Sequence, residues 1–162
     1  MAGGGGTGGV NGQQMDRPAD SRRRSSLAGV TGLTDLDKDL SVEQHMAERL
    51  IGLQPWYHPW VGRERVARAR AELPVDVDLP PACVAGDLGE RQRFALEVAL
   101  ARLDDTPMLG VDNLDLLREG EDRRWAWSLL GRVQERADSP LTLIVTAQDA
   151  EVFGDDIVRV RL

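Results

Sequence analysis

The apolar run Pro107-Met108-Leu109-Gly110-Val111 ends on a carboxylate, Asp112, and a second run, Leu141 to Thr146, is followed closely by Gln148. In open parallel sheets, ligands bind beyond the carboxyl ends of the strands, where loops and helix N-termini converge. A carboxylate in that position can hold a magnesium ion through water. The plainer alternative is a polar residue that ends a strand. Upstream lies Gly86-Asp87-Leu88-Gly89-Glu90 and then Arg91-Gln92-Arg93. Asp87, three positions before Glu90, predicts a capping box at the start of the helix that follows. Cys83 is the only cysteine, and His45 and His58 are the only histidines, so neither a disulfide nor a structural zinc site is available. Cys83 would be a nucleophile only if the fold brought a histidine to it, and an inert thiol is the simpler reading.

These residues need elements to position them, and the chain is long enough to supply a core. Its 162 residues are 41% apolar and 29% charged, the composition of one globular domain. A net charge of −7 predicts no general attraction to nucleic acid or to anionic membranes. No stretch reaches the ~18 apolar residues of a membrane span, and the glycine-rich start lacks the apolar segment of a signal peptide. A reducing, cytoplasmic setting is expected.

Residues 1–24 hold seven of the 17 glycines and few large apolar side chains, so they are expected to be mostly disordered. Ser25 to Val30 reads as a short buried strand. From Ser41 the spacing of Val42, Met46, Leu50 and Leu53 predicts a helix capped by Ser41 and stopped by Pro55. The loop after it concentrates Trp56, Tyr57 and Trp60, which are expected to pack between that helix and a second one over Arg63 to Leu73. Residues 74–83 connect, because their three prolines forbid a helix. The strongest helix runs from Leu88 to Leu103, with Leu96, Leu100 and Leu103 on one stripe and Phe94, Val98 and Ala101 beside it, a face wide enough to cover a sheet. A strand over 107–112, a helix over 121–137, a strand over 141–149 and a last strand over 156–160 complete the chain. Strands separated by helices predict an α/β fold with a mainly parallel sheet.

The stretch from Gly86 to Asp115 resembles the ATP-binding cassette (ABC) ATPase pattern, in which a signature loop opens a helix carrying Arg-Gln-Arg and a Walker B strand follows. Arg91-Gln92-Arg93, the helix from Phe94 to Ala101 and Pro107 to Asp112 carry the match. Arg22 to Val30 stands in the place of the strand leading to the Q-loop, Leu40-Ser41-Val42 resembles the start of the helical subdomain, and Thr142 to Asp149 resembles the strand leading to the switch histidine. The resemblance implies a P-loop NTPase-like partial fold over 25–162: a mainly parallel sheet flanked by helices, with a small helical subdomain insert over about 40–103.

It also implies a site that has lost groups. The family's phosphate loop ends in Gly-Lys-Ser/Thr, whereas the early glycines here precede no lysine and Lys38 is the only one in the chain. Asp112 takes the magnesium-holding position. Asn113 stands where the family has the glutamate that polarises the attacking water, and loss of a general base costs ~10²–10⁴ in rate. Gly86, Asp87, Gly89 and Glu90 fall in the signature loop, with Asp87 where a serine contacts the γ-phosphate held by the opposite subunit; an aspartate there repels it. Gln148 occupies the switch-histidine position. ATP and Mg2+ are therefore expected only if missing or partner residues complete the site.

The resemblance further implies a nucleotide-binding subunit, or a piece of one, at the inner face of a membrane. Its partners would be a membrane subunit, a second ATPase subunit or another copy, with no nucleic acid and no direct insertion into the bilayer. The alternative is a non-catalytic interaction module docking through the helical insert and its aromatic loop. In the family the strand before the phosphate loop lies inside the sheet. Its absence would leave an edge that invites pairing, so the isolated chain is expected to be marginally stable or oligomeric.

Overall fold

The computed structural model describes residues 9–10, 13–14, 24–29, 35–57, 60–72, 77–148 and 158. Two-residue strands β1 (Gly9–Val10) and β2 (Gln13–Gln14) pair antiparallel. They lie within the segment expected to be mostly disordered. The residues between them in sequence, Asn11-Gly12, are the pair most favoured in two-residue hairpins. The strand expected over 156–160 lies outside the described residues, apart from Val158.

The second sheet is parallel and three-stranded, in the order β3 (Ser25–Ala28), β4 (Met108–Val111), β5 (Thr142–Val145). Its strands are the short apolar runs of the sequence, trimmed at their ends where polar residues begin. Among the described residues four helices complete the frame: α1 (Val42–Gly52), α2 (Arg63–Glu72), α3 (Glu90–Arg102) and α4 (Gly120–Glu135). Helices α3 and α4 cover one face of the sheet. Ala28, Leu109 and Val111 from the strands pack there with Phe94, Ala95 and Val98 from α3 and with Ala126, Leu129, Leu130 and Val133 from α4.

On the other face Leu27, Gly110 and Ile144 lie side by side in register, and Leu27 and Ile144 are 45% and 50% exposed. No described element covers them. Parallel sheets are normally buried on both faces, so this one lacks a layer among the described residues.

A second core sits under the helical insert. Val42, Met46 and Leu50 of α1, Val66 of α2, Leu79, Ala85, Leu88 and Leu96 form it. The wide apolar face of α3 is therefore divided. Leu96 is buried in the helical core with Leu100 and Leu103 packed against it, while Phe94, Val98 and Ala101 face the sheet. Leu53, expected on the α1 stripe, is instead the C-cap residue and 41% exposed. Ser41 caps α1 as expected: its hydroxyl accepts from the Gln44 N–H at 3.2 Å, and Gln44 Oε1 accepts from the Ser41 N–H at 2.8 Å.

The aromatic loop departs from expectation. Trp56, Tyr57 and Trp60 do not pack between α1 and α2 but stand 90%, 69% and 81% exposed. The reason is that α2, Arg-Glu-Arg-Val-Ala-Arg-Ala-Arg-Ala-Glu, offers the core little beyond Val66 and the half-buried Ala69. Two helices that meet through such small side chains leave no slot for a ring.

Candidate functional site

The carboxyl ends of β4 and β5 are laced together by backbone and by one hydroxyl. The Asp112 N–H donates to the Ala28 carbonyl at 3.2 Å, and the Thr146 N–H to the Val111 carbonyl at 3.0 Å, extending the sheet by one step. The Thr146 hydroxyl then donates to Asp112 Oδ1 at 2.6 Å and accepts from the Asn113 N–H at 2.7 Å. Asn113 takes the left-handed conformation, φ 65° and ψ 72°, which asparagine tolerates better than most residues. That turn sends the chain into a short 3-10 helix, Leu114–Leu116, whose Asp115 accepts from the Gln148 N–H at 2.5 Å. Asp112, Asn113 and Gln148 thus gather at one end of the sheet, with their side chains exposed to solvent.

Beside them is a cleft of about 250 Å³ between β3, α3 and the β4 end, lined by Gly29, Glu90, Arg93, Glu97, Asp112 and Asn113 over a floor of Phe94 and leucines. Gly29 has φ +70°, and a β-carbon there would sit 3.3 Å from the Asp112 carbonyl oxygen and 3.6 Å from Glu97 Oε2. Glu97 is the residue that reasoning from motifs did not single out. Burial pushes its carboxyl up to about 7; Arg93, one turn earlier, works against the rise and Asp35 adds to it. The sequence did carry a signal, a lone carboxylate within Phe-Ala-Leu-Glu-Val-Ala-Leu.

The signature-loop residues separate. Glu90 reaches the cleft, while Gly86 and Asp87 lie in a 3-10 turn, Ala85–Asp87, pinned to the segment before α1. The Ala85 and Gly86 N–H groups donate to the carbonyls of Leu40 and Lys38 at 2.9 and 3.0 Å, while the Val42 N–H donates back to Cys83 at 3.0 Å. That pairing corrects the capping box expected from Asp87 and Glu90. It holds Asp87 in the turn, so α3 begins two residues later with Gly89 as N-cap. Only half a box remains: Gln92 Oε1 accepts from the Gly89 N–H at 3.2 Å.

The Arg-Gln-Arg residues are engaged in packing. Arg91 Nε donates to Asp122 at 2.6 Å and its guanidinium lies 5.5 Å from the Trp125 ring centre, joining α3 to α4; the Asp122 hydrogen bond raises its pKa further. Gln92 Nε2 donates to the Asp78 carbonyl at 2.9 Å, and Arg93 to the Leu88 carbonyl at 3.4 Å. Cys83 donates its thiol proton to the Val84 carbonyl at 3.6 Å, and buried His45 meets the Asp37 carbonyl through Nε2 at 2.9 Å. Neither is arranged for nucleophilic catalysis.

Among the described residues no three His, Cys, Asp or Glu side chains converge to hold a metal ion. Magnesium, however, is usually held by one or two carboxylates together with water and phosphate oxygens. Asp112 fits that role, since Thr146 engages Oδ1 and leaves Oδ2 without a hydrogen bond from a described residue. A nucleotide triphosphate fits less well. Asp112, Glu90 and Glu97 all line the cleft, and among the described residues Arg93 is its one cation.

A parallel sheet with helices on one face, a helical insert ahead of α3 and an acidic strand end beside Asn113 define a partial ABC ATPase fold. Among the solved structures that share it are these two. CbiO1 from Clostridium perfringens, part of the ABC transporter complex CbiONQ, aligns with a TM-score of 0.65 and 13% identity, over 83% of this chain and 51% of its own. MJ0796, a bacterial ABC transporter cassette whose dimeric structure is known, aligns with a TM-score of 0.57 and 15% identity, over 84% of this chain and 59% of its own. The chain thus spans between half and three-fifths of the length of the structures it matches. No family model matches the sequence, and no curated protein matches it. Among the described residues no helix is long and apolar enough to cross a membrane.

Proposed function

We propose that this chain is part of a nucleotide-binding-type subunit of an ABC transporter that does not hydrolyse ATP by itself, working at the inner face of a membrane with a membrane subunit and a second ATPase subunit. The observation that carries the reading is the residue after the strand-end carboxylate. Asn113 offers an amide where a base would be required, and its backbone is fixed in the left-handed turn by Thr146. Bound ATP would supply the phosphoanhydride whose cleavage drives such transporters. Asp112 would orient a hydrated magnesium ion, Glu90 and Asp87 would repel the γ-phosphate, and Gln148 would lie beyond the adjacent strand. The amides of Asn113 and Gln148 cannot take a proton from water near neutral pH. Glu97 is a carboxyl of suitable basicity, but it stands on α3 and not at the position that follows Asp112.

Titration calorimetry of the purified chain with magnesium-ATP tests the reading. No binding tighter than ~1 mM is expected, because the chain has no phosphate-loop lysine. Micromolar affinity, or steady hydrolysis without a partner, would overturn it.

A further inference from the structure

The loop joining α1 to α2 carries the most exposed aromatic surface among the described residues. Leu53, Trp56, Tyr57 and Trp60 are all exposed, Trp56 and Tyr57 meet edge to face at 6.0 Å, and none of the four joins either hydrophobic core. Rings that are apolar in the body and polar at the tip favour the boundary between water and lipid headgroups.

The helix that follows adds net positive charge, four arginines against Glu64 and Glu72. Arg63 and Arg65 stand in the first turn of α2, where the helix dipole disfavours cations, so they do not serve the helix. From Arg49 to Ala71 there are five arginines and one acid, Glu64, in a chain whose net charge is −7. Arg49 is taken by Asp104, and Arg68 lies a loose 3.7 Å from Glu64. Arg63, Arg65 and Arg70 have no ion-pair partner among the described residues.

We propose that the exposed residues Leu53, Trp56, Tyr57, Trp60, Arg63 and Arg65 dock on an anionic lipid surface, with the three aromatic rings entering the headgroup layer and the two arginines pairing with lipid phosphates. This revises the sequence-based expectation that an acidic chain avoids anionic membranes, because the local charge opposes the global one. It stands on the loop alone and is independent of whether the cleft holds a nucleotide. A lipid surface is favoured over a protein partner because exposed aromatic rings followed directly by arginines without an ion-pair partner among the described residues suit a layer of anionic headgroups.

The test is flotation of the full chain with vesicles of phosphatidylcholine, with and without phosphatidylglycerol. Binding is expected only with the anionic lipid and is expected to be released by salt. Brominated lipid should quench tryptophan emission in the native chain but not in the W56S/W60S double variant, where Trp125 and Trp127 remain packed near α4. Replacing Arg63 and Arg65 by Gln should weaken binding about 25-fold, at about five-fold per arginine. Circular dichroism of the variants should match the native chain, since all four residues are exposed. Absence of binding to either vesicle, equal binding to both, or quenching that survives the tryptophan substitutions would overturn the proposal. So would a loop that captures a protein while ignoring lipid.

Discussion

Replacing Glu97 by Gln removes a charge from the place where the fold tolerates it least. Burial raises this carboxyl from its ordinary 4.5 to about 7, despite the counteracting Arg93. An acid whose folded pKa lies above its unfolded one binds more protons in the folded state between the two values. Its contribution to stability is therefore most favourable below the unfolded pKa, declines as pH rises toward 7, and levels off above it. At 1.36 kcal/mol per pKa unit the full penalty is roughly 3 kcal/mol. Glu97 is only partly buried, and screening by solvent reduces this to about 1–2 kcal/mol. Glutamine has nearly the same shape and no charge to desolvate. Urea denaturation of both proteins should show the E97Q variant gaining about 1–2 kcal/mol on the native chain between about pH 5 and about pH 8.5. A difference that does not change with pH, or that shrinks as pH rises, would refute the burial argument, since no other titrating group differs between the two chains.

Two further substitutions probe the turns that frame the site. Asn113→Val places a β-branched residue at φ 65° and should cost about 1–2 kcal/mol in chemical denaturation, whereas Asn113→Gly should be close to neutral; a larger loss for glycine than for valine would contradict the turn described here. Ser41→Ala breaks the capping box at α1 and should cost about 1 kcal/mol by the same measurement, with Gln44 unable to compensate because its own bond runs to the Ser41 backbone.

What was legible in the sequence was local. The runs Met-Leu-Gly-Val and Thr-Leu-Ile-Val became strands because continuous apolar stretches bounded by polar residues can only be satisfied inside a sheet. Ser41 and Gln44 announced the start of α1. What was not legible depended on partners distant in the chain. Asp87 was a sound N-cap by spacing, but the pairing of residues 38–42 with 83–86 moved the helix start to Gly89. The aromatic loop looked like packing material, and only the poverty of α2 shows that no partner awaits it. Glu97 was hidden for the opposite reason: counting apolar periodicity passes over a single carboxylate whose consequence is desolvation. Asp112 and Asn113 were legible as a strand end, but the Thr146 hydroxyl that links them lies 33 and 34 residues away.

That linkage bears on what the resemblance to ABC ATPases can mean. The residues that carry it most clearly are Arg91, Gln92, Arg93 and Asp112, and each has a structural task. Arg91 ties α3 to α4 through Asp122 and Trp125, Gln92 ties α3 to Asp78 and caps Gly89, Arg93 closes on Leu88, and Asp112 anchors Thr146. Each contact joins two elements or closes a helix end without requiring nucleotide. A sequence selected only to keep these contacts would still present the pattern, while positions whose value lies in touching phosphate or water would be free to change. On the function proposed above, Asp87, Asn113 and Gln148 are positions of that second kind; none makes a side-chain hydrogen bond to another described residue. The architecture of the fold and the chemistry proposed for its strand ends therefore depend on different side chains.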